Sequence, residues 1–100
     1  MKAVFNGQIL AEADKDDLIF IEGKWYFPPE SVKKEFVEET DTPYTCPWKG
    51  KCQFYNVKVD DQVSEDGAFT YPEPVEGAID KVKKDFAGYF AFWREVEVKE

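Results

Sequence analysis

The segment Cys46-Pro47-Trp48-Lys49-Gly50-Lys51-Cys52 gathers more reactive chemistry than any other stretch of the chain. It holds both cysteines, one of three tryptophans and two lysines. The thiolate is the nucleophilic and redox-active form of cysteine, and a nearby ammonium favours it. Cys46 is therefore a candidate nucleophile, and Lys49 a candidate electrostatic catalyst. Trp48 offers a face for stacking on a planar ligand, while Lys49 offers a charge for a phosphate or carboxylate. Pro47 biases Cys46 towards extended conformations, and Gly50 permits a turn closed to other residues. The segment thus reads as a shaped loop entering a strand. A second reading stands beside the first: Cys46 and Trp48 pack the core and Lys49 is exposed, because buried cysteines and aromatics usually serve packing.

Other chemistry is excluded or weak. There is no histidine, so no Ser-His-Asp or Cys-His constellation can form within one chain. Two cysteines without histidine complete a tetrahedral zinc site only with carboxylates or a second chain. Asp14, Asp16 and Asp17 lack the glycine and final glutamate of a calcium loop and read as solvated. We expect neither metal nor cofactor. The net charge of −8 argues against a nucleic-acid partner, which needs a basic footprint. The lysine clusters at Lys33 and Lys34, at Lys49 and Lys51, and at Lys81, Lys83 and Lys84 all lie beside carboxylates. Met1 to Leu10 does not read as a secretory signal, and the apolar runs fall far short of the ~20 residues that span a bilayer. The expectation is a soluble cytoplasmic protein with no membrane partner. In that compartment Cys46 and Cys52 are free thiols by default, although their spacing alone does not exclude a bridge.

The elements that must position this segment are mostly strands. Residues 1–100 suit a single domain, and nine Phe, five Tyr and three Trp supply large rigid rings for its core. Lys2 to Phe5 and Gln8 to Glu12 flank Asn6-Gly7, a strong hairpin signal. Leu18 to Ile21, read as covered on both faces, and Lys24 to Phe27 flank Glu22-Gly23. Together they suggest a four-stranded meander. Pro28-Pro29 ends it, and a short helix follows over Glu30 to Val37. Glu38 to Pro43 is a polar loop. Cys52 to Val59 alternates, with Phe54 facing opposite to Tyr55, Val57 and Val59. A short strand around Val63, a turn at Ser64 to Gly67 and a strand from Ala68 to Tyr71 follow. Val75, Ala78, Ile79, Val82 and Phe86 form one helical stripe over Val75 to Ala87. Tyr89 to Trp93 and Glu95 to Val98 are closing strands. The fold class is mostly β (α+β), built of antiparallel strands with one short and one longer helix.

Tyr26-Phe27-Pro28-Pro29-Glu30-Ser31-Val32, Cys46-Pro47-Trp48-Lys49-Gly50, Phe69-x-Tyr71-Pro72-x-Pro74 and Ala91-Phe92-Trp93 occur in that order. The chain resembles the family known as domain of unknown function 427, over nearly its whole length. The resemblance implies a compact, mostly β domain of the β-tent kind and no settled activity. The nucleotidyltransferase-like label attached to the family finds no Gly-Ser with a spaced Asp-x-Asp here. Phe69 stands where many relatives carry tryptophan, and Cys52 is not general among them. The resemblance groups Tyr26, Cys46, Trp48, Lys49 and Tyr71 as ligand-binding candidates. Rings, a thiol and a cation around an apolar concavity are what a small-molecule pocket requires. Three functions compete: a module binding a small anionic or aromatic ligand, an enzyme using Cys46 or Lys49, and a homodimeric interaction protein.

Overall fold

The computed structural model describes residues 1–100. Two hairpins open the chain, each on a two-residue turn. Strands β1 (Lys2–Phe5) and β2 (Gln8–Glu12) flank Asn6-Gly7, whose φ values of 50° and 77° are the type I′ pattern that matches strand twist. Strands β3 (Ile19–Ile21) and β4 (Lys24–Phe27) flank Glu22-Gly23 at 50° and 83°. The hairpins do not join into a meander. Only the first stays with the amino-terminal sheet, in the order β11-β1-β2, where β11 is Glu97–Lys99. The second is the edge of a six-stranded antiparallel sheet, β3-β4-β10-β9-β8-β5. Its remaining strands are β5 (Val37–Glu39), β8 (Gln53–Val59), β9 (Gln62–Thr70) and β10 (Phe90–Phe92). Between them, β6 (Thr45–Cys46) and β7 (Gly50–Lys51) pair as a two-residue ladder that closes the Cys46–Gly50 loop.

The six-stranded sheet is apolar on both faces, because alternate residues of its central strands point to opposite sides. Phe27, Val57, Ala68 and Phe90 face the three-stranded sheet and pack with Ala3, Leu10 and Ala11. Tyr26, Phe54, Phe69 and Ala91 face the other way and pack with Cys46, Cys52, Tyr71 and Phe86. Phe54 does face opposite to Tyr55, Val57 and Val59. A Cα radius of gyration of 12.9 Å equals the roughly 13 Å of a compact body of this length, so both faces belong to one globule. No helix is long and apolar enough to cross a membrane.

Four local expectations are corrected. Phe20 on β3 is 56% exposed, so that strand is covered on one face only; on its outer side, at the sheet edge, Phe20 lies beside Trp25, with ring centroids 4.7 Å apart. The short helix over Glu30 to Val37 is two 3-10 turns, Pro29–Ser31 and Lys34–Phe36, followed by β5. The long helix is only α1, Ala78–Val82, bounded by Gly77 and Lys83, both in left-handed conformations. Val75 and Ile79 are therefore exposed, while Ala78 and Phe86 are buried. Asp85 accepts from the Ala87 amide at 3.0 Å, a local turn that competes with helix. Finally, Ser64 to Gly67 is a bulge inside the continuous strand β9.

Candidate ligand site

The Cys46–Cys52 segment lies against the second face of the large sheet. Gly50 sits at φ 115°, and a Cβ there would come within 3.1 Å of Val75 Cγ1 and 3.3 Å of the Glu73 carbonyl oxygen. That close approach lets the Val75 amide donate to the Lys49 carbonyl at 3.0 Å. The proline-rich strand end after Tyr71 is thereby clamped to the loop.

The five residues grouped from the sequence separate by burial. Tyr26, Cys46 and Tyr71 are buried core residues. Tyr26 meets Phe69 and Phe86 edge-on, with ring centroids 6.0 and 6.4 Å apart. Trp48 is half-buried. Lys49 is only 6% exposed, which overturns the picture of an exposed lysine. Its ammonium lies 5.1 Å from the Trp48 ring centroid and 5.0 Å from that of Tyr71, and it is ion-paired with Glu22 at the β3–β4 turn. Trp48, Lys49 and Tyr71 are thus brought together; Tyr26 and Cys46 lie beneath the surface.

Both cysteines are free and buried. Burial pushes the Cys52 thiol up to about 11, against a smaller opposing hydrogen bond from Tyr71. Burial likewise raises the Tyr26 and Tyr71 phenols well above the ordinary tyrosine range. The hydrogen bond from Lys49 holds the Glu22 carboxyl below its usual value.

Beside this cluster opens a concavity of about 350 Å³ lined only by aromatic residues: Tyr44, Phe54, Phe69, Tyr71 and Trp93. Phe54 and Trp93 are nearly parallel, with an interplanar angle of 18° at 6.3 Å, and Phe69 meets Trp93 edge-on at 5.7 Å. Tyr44 is 49% exposed and forms the outer wall, 6.4 Å from Phe54. Two cations flank Trp93. Lys24 Nζ stands 5.6 Å from its ring, and the Arg94 guanidinium carbon 4.6 Å. Neither belongs to an ion pair.

The β9 bulge holds two of these walls. Asp66 sits at φ 53°, and its carbonyl accepts from the Trp93 indole. Its amide donates to Asn56 Oδ1 at 2.9 Å. Its carboxylate accepts from the Thr40 and Thr42 hydroxyls, both at 2.8 Å, fixing the loop that leads to Tyr44. The Trp93 amide donates to the Gly67 carbonyl at 3.0 Å. At Gly67 a Cβ would lie 2.8 Å from Ser64 Cβ, so only glycine fits this turn of the bulge.

Sequence reasoning reached Tyr71 among these five walls and passed over the rest as core or loop. Strand alternation carries a signal for three of them, since it puts Phe54, Phe69 and Trp93 on one face. Nothing in the sequence singles out Tyr44 or Glu22.

The sequence profile of the family described as domain of unknown function (DUF427), named NTP_transf_9, matches residues 1–100. The chain belongs to the DUF427 family. No curated protein matches it. DUF427 membership leaves the activity to be argued from the site.

Proposed function

We propose that this DUF427 protein is a binding module for a small molecule bearing a planar aromatic ring and an anionic group. The ring occupies the concavity of Tyr44, Phe54, Phe69, Tyr71 and Trp93, and the anion lies towards Lys24 and Arg94. The observation that carries the reading is the all-aromatic lining of an open concavity. Apolar walls of this kind with a few charged groups at the rim are the usual make-up of small-molecule sites. The two cations over the Trp93 ring, Lys24 and Arg94, form no ion pair, and they favour an anionic ligand. Nucleophilic use of Cys46 draws no support from its burial.

The test is a titration followed by tryptophan fluorescence and thermal shift, with aromatic carboxylates and nucleoside monophosphates compared with their uncharged analogues. The anionic ring compounds should stabilise the protein, and Tyr44→Ala should weaken them roughly tenfold, the equivalent of one lost ring contact of about 1.4 kcal/mol. A protein that responds to none of them, or equally well after Tyr44→Ala, does not use this concavity.

A further inference from the structure

Glu22 occupies a place better suited to another residue. The chain contains two two-residue turns with nearly identical φ values, Asn6-Gly7 and Glu22-Gly23. Asparagine tolerates the left-handed conformation at the first position, whereas a longer side chain is disfavoured there. What the glutamate supplies in exchange is its carboxylate. That carboxylate reaches the buried Lys49 ammonium, and the neighbouring Trp48 helps to hold the carboxyl below its usual value. Lys81 on α1 approaches the other cation's ring partner, its Nζ 4.5 Å from the Trp48 centroid, and its charge also acts on Glu22. A carboxylate on an exposed turn is therefore drawn into a setting of one buried cation, one exposed cation and the indole ring between them. Glu22 itself remains 57% exposed at the side chain, while Lys49 is 7% exposed.

Buried cations need a fixed partner or a ligand. Here the cations belong to the Cys46–Gly50 loop and to α1, and the acceptor belongs to a hairpin tip whose carboxylate side chain is more than half in water. We propose that Trp48, Lys49 and Lys81 form a binding site for a small oxyanion, a carboxylate or phosphate group, which Glu22 fills in the free protein and yields to the ligand. Lys49 supplies the buried charge, Lys81 the outer charge, and Trp48 the ring over which both ammonium groups stand. This site is independent of whether a ring binds in the aromatic concavity.

The probes are inorganic phosphate and acetate, and the readout is the indole N–H resonance of Trp48. Glu22→Asn installs the favoured turn residue, keeps the hairpin and withdraws the carboxylate. In the wild-type protein phosphate should shift the Trp48 signal saturably but weakly. In Glu22→Asn the dissociation constant should fall at least tenfold, and Lys49→Met should abolish the shift in either background. A response to phosphate alone identifies a phosphate site, and a response to both probes a general oxyanion site. Equal constants with and without Glu22, a shift reproduced by chloride at matched ionic strength, or a shift that survives Lys49→Met would each overturn the proposal. Should Glu22→Asn not fold, the wild-type titration against Lys49→Met decides alone.

Discussion

Lys49 and Glu22 form an ion pair whose two members differ in their access to water, and that difference sets what each substitution does. Lys49→Met removes a charge from the interior, keeps a flexible chain between Trp48 and Tyr71, and leaves Glu22 hydrated. Exchanging a buried charge for an apolar group of similar size is often close to neutral, so urea unfolding should show a change below about 1 kcal/mol. Glu22→Gln instead leaves a buried ammonium without its anion and should cost about 1–3 kcal/mol. The reverse order would mean that the pair stabilises through Lys49's contacts rather than through its compensation. The pH dependence follows from the depressed Glu22 carboxyl. Its contribution is fully present above the ordinary carboxylate range and is lost as pH falls through the lowered folded value, so Lys49→Met should flatten the acid limb. Cys52 acts at the other end. With its folded value near 11 against an ordinary 9.0, the thiol's contribution is present below pH 9 and is lost as pH rises through 11. Chemical unfolding between pH 9 and 10, below the main tyrosine titration, should become less steep in pH with Cys52→Ala. An unchanged slope there would place the alkaline sensitivity elsewhere.

The elements show which features can be read from local sequence and which depend on contacts distant in the chain. Asn6-Gly7 with β1 and β2, the alternation of β8, and the opposed facing of Phe54 and Val57 follow from turn chemistry and a two-residue period, and those were legible. Which sheet each hairpin joins was not, because it is decided by pairing of β1 with β11 and of β4 with β10, more than sixty residues away. The apolar stripe from Val75 to Phe86 looked helical, yet Gly77 and Lys83 stop α1 and the stripe is buried at only two of its five positions. The site was half legible for the same reason. Trp48 and Lys49 are adjacent in sequence, but Glu22 reaches them, and Tyr44 reaches the aromatic concavity, only through tertiary structure. The bulge at Ser64 to Gly67 carries turn residues, which by themselves predict a turn. Its part in holding Trp93 and the Thr40–Thr42 loop appears only in the folded chain. Gly67→Ala tests that part. The added Cβ would crowd Ser64 at 2.8 Å, and overpacking of this kind costs about 1–3 kcal/mol. The Trp93 indole resonance should shift as the bulge moves; a stable variant with an unmoved resonance would show that the bulge does not position Trp93.

At the scale of the molecule, one sheet carries two cores, and this arrangement has consequences for how the chain unfolds. Leu10 and Phe86 are both fully buried, Leu10 in the core shared with the three-stranded sheet and Phe86 in the core beneath α1. Neither core can persist alone, since β4, β8, β9 and β10 contribute alternate residues to both and the sheet loses its cover if either side opens. Unfolding should therefore be a single transition, as for most small domains. Leu10→Ala should cost about 2–5 kcal/mol and Phe86→Ala about 3–5 kcal/mol by cavity formation. Because the sheet separates the two sites and they share no cluster, the double variant should equal the sum of the singles to within about 0.5 kcal/mol, provided enough stability remains to measure it. Denaturant melts followed by tryptophan fluorescence, which reports on Trp48 and Trp93 against the second core and on Trp25 against the first, and by far-ultraviolet circular dichroism should coincide in all variants. If Leu10→Ala instead separates the two probes, the faces unfold independently, and the aromatic concavity would then be held by the second core without help from the amino-terminal sheet.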